Sequence, residues 1–252
     1  MEVKNEDLLM NGLAAGGATR MWKEIMIDAL PVMKSLVSRG AKVLEIGYGD
    51  GNLSCFLVKE LGWKMVGIDP DRIAYKTASH IAAILGLCDN AEFACIKSQD
   101  YLKMANEFDA IFIKTVLYNA RTIQEYDIWL KSIYRALKPG GILINFETGR
   151  SNSLVQLYRY ILHREYRNWC LYSSDIEIIY NNLFEIIYKR YYGGISQFFS
   201  FQSIPFRVAR LAESKILQRN ANNCFAVAII GRKKNQLRFY NNQAENKDML
   251  CG

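Results

Sequence analysis

Two histidines and six cysteines are the only imidazole and thiol ligands in this 252-residue chain, and the cysteines, at 55, 88, 95, 170, 224 and 251, share no short paired spacing. A zinc cluster therefore lacks ligands, and a disulfide framework lacks a motive. Also missing is any run of the roughly 20 apolar residues that a membrane-spanning helix needs. The start, MEVKNEDLL, is acidic and weakly apolar, unlike a secretory signal, so the expected location is the cytosol.

What is present suffices for a large core, since 252 residues make one large or two small domains. The formal charge is +7 and uneven: residues 150–219 carry ten Lys or Arg against five acids, and residues 232–252 five against two, while residues 1–40 balance at five each. Such a field favours an anionic substrate, a nucleic acid or an anionic lipid surface. Scattered surface lysines and arginines explain it equally well.

The most informative stretch is residues 41–71, AKVLEIGYGDGNLSCFLVKELGWKMVGIDPD. An apolar run from Ala41 to Ile46 meets Gly47, Gly49 and Gly51; Leu53, Phe56, Leu57 and Leu61 then recur at helical spacing, and a second apolar run, Met65 to Ile68, stops at Asp69. The pattern predicts strand, glycine loop, helix, strand, acid. A turn this sharp, with a molecule against its backbone, needs residues without a Cβ. Asp69, at the end of the second strand, is placed to accept from two vicinal ribose hydroxyls. Glu45 narrows the choice of ligand. Dinucleotide folds gather a pyrophosphate at this helix N-terminus, whereas Glu45 and Asp50, with no lysine in the loop, repel phosphate and suit a cationic ligand.

On these residues the chain resembles the class I S-adenosylmethionine-dependent methyltransferases: Glu45-Ile46-Gly47-Tyr48-Gly49-Asp50-Gly51 is similar to their first motif, and Asp69 stands where their ribose-binding acid stands. The resemblance covers about residues 38–147 and, more loosely, extends to 234. It implies an α/β fold: a seven-stranded, mostly parallel sheet with helices on both faces, Rossmann-like, with a helical and aromatic cover. S-adenosyl-L-methionine is the implied cofactor, bound by Glu45, Gly47, Tyr48, Gly49, Gly51, Asp69 and Pro70.

Three parts are expected in chain order. Residues 1–37 form a mobile arm, rich in small residues at 12–17, and a lid helix with Pro31 as a break or kink, on which Trp22 reads as a core residue or as a lid aromatic. Residues 38–234 form the methyltransferase domain, with a substrate-cover insertion at 149–183, and residues 235–252 a frayed tail. Within the domain, Asp71 caps a helix that turns Ile73, Ala74, Ala78, Ile81, Ala82 and Leu85 inward, and His80 on it is read as surface or packing. Ala91–Ile96 is the third strand. Ser98, Gln99 and Asp100 beyond it are the adenine candidates; Asp100 reads equally as a helix cap. The fourth strand, Phe108–Ile113, leads into KTVLYNA, where the resemblance places Lys114, Thr115, Leu117, Tyr118 and Asn119 near the cofactor and acceptor.

A helix over Ile123–Leu137 precedes Lys138-Pro139-Gly140-Gly141, a turn many relatives share before the strand Ile142–Phe146. Phe184–Tyr188 is the sixth strand, and Phe225–Ile230 the last, inserted antiparallel between fifth and sixth. Eight of the fifteen tyrosines lie between 158 and 192, as an aromatic wall or as helix packing.

Direct methyl transfer needs a nucleophile in line with the departing sulfur, and a base only where the acceptor must lose a proton. Tyr118 and His163 are the catalytic candidates, and no metal site is expected. The expected acceptor is a small molecule, lipid or glycan, anionic or aromatic in character. The alternative is an RNA or other nucleic-acid methyltransferase or binding protein using the basic cover. Against it stands the lack of an Asn-Pro-Pro-Tyr type motif, of a Pro-Cys nucleophile and of a separate RNA-binding module.

Overall fold

The computed structural model describes residues 5–13, 19–101, 105–120, 122–148, 173–192 and 224–235. Expectations for most of the cover, the connection after 192 and the tail lie outside the described residues. The chain order is α1 (Asn5–Leu13), α2 (Thr19–Leu36), β1 (Lys42–Ile46), α3 (Asn52–Leu61), β2 (Lys64–Asp69), α4 (Arg72–Ile84), β3 (Ala91–Cys95), α5 (Ser98–Tyr101) and β4 (Phe108–Lys114). A 3-10 turn at Leu117–Asn119, α6 (Ile123–Ala136), β5 (Leu137–Thr148), α7 (Ser173–Leu183), β6 (Phe184–Tyr192) and β7 (Ala226–Lys233) follow.

The strands form one sheet in the order β3-β2-β1-β4-β5-β7-β6. β1 pairs in parallel with β2 and β4, and only β7 runs antiparallel, between β5 and β6. Central strands here are buried on both faces, which is why they read as continuous apolar runs instead of alternating ones. Met21, Trp22, Ile25, Leu53, Phe56 and Ala78 of α2, α3 and α4 cover one face; Tyr126, Leu130, Ile133, Ile176 and Tyr180 of α6 and α7 cover the other. The order reverses between β1 and β4, so the crevice for a ligand opens beyond their carboxyl ends. No helix among the described residues is long and apolar enough to cross a membrane.

Several local expectations are corrected. Residues 5–13 form a helix, with Leu8, Leu9 and Leu13 buried; three leucines with a shared apolar partner outweigh the flexibility that the glycines suggest. α2 continues through Pro31. The lost hydrogen bond falls on the solvent side, where Ile27 and Pro31 are exposed, while Met26, Ala29 and Met33 are buried on the other side. On α4 Ala78 and Ala82 are buried and Ala74, Ile81 and Leu85 pack half-buried against the same core, but Ile73 is 75% exposed, because it lies in the first turn, where the chain has only just left the sheet edge.

β5 spans Leu137 to Thr148, longer than expected, and carries the glycine turn inside it: Phe108 pairs with Leu137 but Ala110 with Ile142. Asp109, between them, holds the loop by accepting from Lys138 Nζ at 2.7 Å and from the Lys42 amide at 2.9 Å. β6 runs on to Tyr192 and β7 to Lys233, since each extends as far as the other can pair with it. The described end of the expected cover, α7, lies in the face layer with Ile176, Tyr180 and Leu183 buried. Tyr180 and Tyr192 are core residues, as the packing reading of the tyrosines requires.

Candidate functional site

The crevice is a cleft of about 900 Å³ at the carboxyl ends of β1, β2, β3 and β4. Its floor is the loop after β1. Gly47 adopts φ 77°, and a Cβ there would come within 2.4 Å of Val116 Cγ2, so a side chain would push the 115–119 turn away. Gly49, at φ 57°, has no protein atom within 4 Å of the position a Cβ would take. The space beside it opens into the cleft. Gly51 stands at the N-cap position of α3 and is not on the cleft wall.

Asp69 ends β2 and is fixed at both oxygens, one accepting from the Gly49 amide at 3.1 Å and the other from the Asp71 amide at 2.9 Å. A carboxylate has about four acceptor positions, so Asp69 keeps capacity for a vicinal diol. Asp71 caps α4 by accepting from the Ile73 amide at 2.7 Å and the Ala74 amide at 3.5 Å.

Opposite charges stand at the other end of the cleft. Glu45 is 2% exposed and accepts from the Ser54 hydroxyl. Burial pushes its carboxyl up to about 7, against the Ser54 hydrogen bond and the Lys114 charge, which favour ionisation. Lys114, the last residue of β4, donates to the Gly12 carbonyl at 3.4 Å and lies 5.4 Å above the Trp22 ring. Burial lowers its pKa, while Glu45 and Asp50 raise it. Neither residue forms an ion pair with another described residue.

Of the residues singled out from sequence, Glu45, Gly47, Tyr48, Gly49, Asp69, Pro70, Ser98 and Lys114 line this cleft. Tyr48 contributes a buried ring, packed 4.8 Å from Phe93 and donating from its hydroxyl to the Ala94 carbonyl at 3.3 Å. Burial raises its phenol pKa. Gln99 and Asp100 lie in α5, their side chains outside the described residues. Of the two catalytic candidates, His163 lies outside the described residues, and the described cleft wall beyond β4 is made by Thr115, Val116 and Asn119, without Tyr118. His80 is exposed on α4, and among the described residues no cluster of ligands for a metal occurs.

Sequence reasoning missed several wall residues. Asn11 and Gly12 of α1 line the cleft, and no signal in a glycine-rich stretch marks the helix that carries them. Trp129 also lines it. It falls off the inward stripe Tyr126, Leu130, Ile133 of α6, and a single-stripe reading passes over it. Behind the wall, buried Glu147 accepts from the Leu117 amide at 2.9 Å and the Thr148 amide at 3.1 Å.

Comparison with known proteins agrees with this geometry. Residues 43–141 match a family described as a methyltransferase domain. The chain is 30% identical over 156 residues to the ubiquinone/menaquinone biosynthesis C-methyltransferase UbiE of Cellvibrio japonicus, which covers 58% of this chain and 56% of that protein. It thus spans about half the length of the curated relatives it matches. Among solved structures, a SAM-dependent methyltransferase from Methanosarcina mazei superposes with a TM-score of 0.57 at 21% identity, covering 81% of this chain and 97% of that one. The N-methyltransferase NodS from Bradyrhizobium japonicum gives 0.55 at 15% identity, covering 86% and 98%. Likeness at these identities concerns the fold alone, and the fold serves carbon and nitrogen methylation alike.

Proposed function

We propose that this chain, which has the Rossmann-like fold of the class I S-adenosylmethionine-dependent methyltransferases, transfers the cofactor's methyl group directly to a small-molecule, lipid or glycan acceptor. The observation that carries this reading is the pairing of Asp69 with Gly49. One carboxylate oxygen fixes the amide of a glycine whose side-chain space is open, next to a strand end that bears a buried acid.

The donor set fits the cofactor. Asp69 offers acceptors to a ribose, Gly49 leaves its backbone bare, and Ile68 and Ile96 supply apolar wall towards the adenine, with Ser98 beside them. Glu45 and Lys114 supply opposite charges for the amino-acid end. When bound, the cofactor brings a sulfonium-activated methyl group, so the protein need not form a covalent intermediate. What the chain must do is orient. A nucleophile has to be held about 3–3.5 Å from the methyl carbon and opposite the leaving sulfur. The 115–119 turn, at the end of β4, is the surface available for that, with Asn11 and Gly12 of α1 also on the cleft wall. Tyr118, on this turn, and His163, which lies outside the described residues, remain candidates for orienting or deprotonating an acceptor. The carbon methylation in the name of the UbiE relatives falls within the proposed acceptor class.

A nucleic-acid substrate finds less support, because the described cleft wall carries Glu45, Asp50 and Asp69 against Lys97 and Lys114. Phosphate tracks are lined by net positive charge. The test is a transfer screen with labelled S-adenosylmethionine against a metabolite and lipid extract and, separately, bulk RNA and DNA, at low and high salt. A labelled small molecule or lipid is expected; salt-sensitive labelling of nucleic acid alone would overturn the assignment.

A further inference from the structure

Glu147, at the end of β5, is fully buried and stands behind the cleft wall rather than on it. Among the described residues no lysine or arginine forms an ion pair with it. What faces its carboxylate is backbone: the Leu117 amide at 2.9 Å, the Thr148 amide at 3.1 Å, and the amides of Val116 and Tyr118. Successive amides turned towards one anion form a nest, and here the nest is the 115–119 turn.

Such a nest suits the charged acid alone. A carboxylate accepts at both oxygens, whereas a protonated carboxyl makes one oxygen a donor, and amides give that proton no acceptor. Neutral Glu147 therefore leaves amides of the turn unpaired in a buried place, which is costly. Burial acts the other way and pushes the carboxyl up to about 8. Among the described residues, the titratable side chains acting with it are Tyr126 of α6 and Tyr180 of α7, phenols whose pKa burial raises. Its partner across β7 is Val227, and Lys114 of β4 lies on the other face of the sheet, over Trp22.

The turn is also strained, and it is part of the cleft. Thr115 adopts φ 54° with its amide donating to the Phe146 carbonyl at 2.8 Å. Thr115, Val116 and Asn119 line the cleft, and Asn119 Nδ2 donates to the Val116 carbonyl at 2.9 Å. A ligand that needs these side chains in place therefore favours ionised Glu147.

We propose that Glu147 is a positioning residue for the adenosyl ligand: its carboxylate, once ionised, sets the 115–119 turn, so that binding in the cleft releases the Glu147 proton to solvent. The proposal rests on the adenosyl cleft assigned above and concerns a residue that does not line it.

The probe is 5′-methylthioadenosine, which keeps the adenine and ribose but has no titrating amino-acid end, so neither a ligand amine nor a cation beside Glu45 contributes. Calorimetry on the full chain, in two buffers of different ionisation heat, counts the protons released. At pH 7 the wild type should release close to one proton, and its affinity should rise about tenfold from pH 7 to pH 9, following the ionised fraction of a group that titrates near 8. Glu147→Gln keeps the shape and one acceptor oxygen but has no proton to lose; it should release none and bind equally at both pH values. Glu147→Asp should regain part of the release. Should Glu147→Gln fail to fold, the pH at which the wild-type affinity rises decides, since a rise centred on about 8 matches Glu147 and one on about 7 matches Glu45 and overturns the proposal. No release by the wild type, or the same release by Glu147→Gln, overturns it too and leaves the adenosyl cleft standing. Failure of the wild type to bind either 5′-methylthioadenosine or S-adenosylhomocysteine removes the cleft itself, and this proposal with it.

Discussion

The Glu147 carboxylate, at the end of β5, accepts from the Leu117 amide at 2.9 Å across thirty residues of sequence. Its other oxygen accepts from the Thr148 amide at 3.1 Å, and the amides of Val116 and Tyr118 also favour its ionised form. One buried acid thus holds the turn that presses Val116 over Gly47 and presents Asn119 to the cleft. The turn needs holding, since Thr115 adopts φ 54°, a conformation that a β-branched residue rarely takes.

Glu147→Leu should therefore destabilise the fold by about 2–3 kcal/mol, because buried amides lose their acceptor and regain no water. The expected result is a lower urea midpoint with an unchanged slope, together with weaker binding of S-adenosylhomocysteine. An unchanged midpoint would show that the turn is held by other contacts.

The two buried acids also set a pH dependence. Burial raises Glu45 to about 7 and Glu147 to about 8, both above the ordinary carboxyl value of 4.5. Between 4.5 and those values the folded chain binds more protons than the unfolded chain, so stability from both groups is fully present below 4.5 and is lost as pH rises through about 7 and about 8. The ligand-free urea midpoint should fall between pH 5 and pH 8. Glu45→Gln should make that fall shallower up to about pH 7; a variant with the wild-type profile throughout would rule out Glu45 as a source.

Gly47 and Gly49 should separate stability from binding. Gly47→Val places carbon 2.4 Å from Val116 and is expected to lower the melting temperature along with cofactor affinity. Gly49→Val meets no protein atom, so its cost is mainly the left-handed backbone, roughly 1–2 kcal/mol, while cofactor affinity should fall by more than tenfold. Calorimetry and thermal melts on both variants check this, and retained affinity in Gly49→Val would place the ligand elsewhere.

Asp69→Ala should cost about ten- to a hundredfold in affinity for S-adenosylhomocysteine, the equivalent of a lost charge-assisted hydrogen bond. 2′-Deoxyadenosine analogues should discriminate less between wild type and variant than the ribose forms do. Equal affinity of the variant for the ribose ligand would remove Asp69 from the binding site.

By itself the sequence determined the sheet, the loop and the acid, because each is written in local terms. Val43 to Ile46, Glu45 apart, and Met65 to Ile68 carry no polar side chain because both faces are covered, and Gly47, Gly49 and Asp69 stand at spacings that the strand-loop-helix-strand unit imposes. The turn at Lys138-Pro139-Gly140-Gly141 was legible for the same reason. Other features depend on which distant segments pack together. Gly12 reaches Lys114 across 102 residues, and Glu147 reaches Leu117 across 30. No period or motif announces either contact. Trp129 belongs to the cleft only because α6 crosses the sheet at the height of the 115–119 turn, and Asn5–Leu13 is helical because α3 gives its leucines a surface. Hydrogen-bond partners and burial are set by the assembled layers, so only the tertiary structure decided that Glu45 is buried against the Ser54 hydroxyl and that Lys114 meets the Gly12 carbonyl.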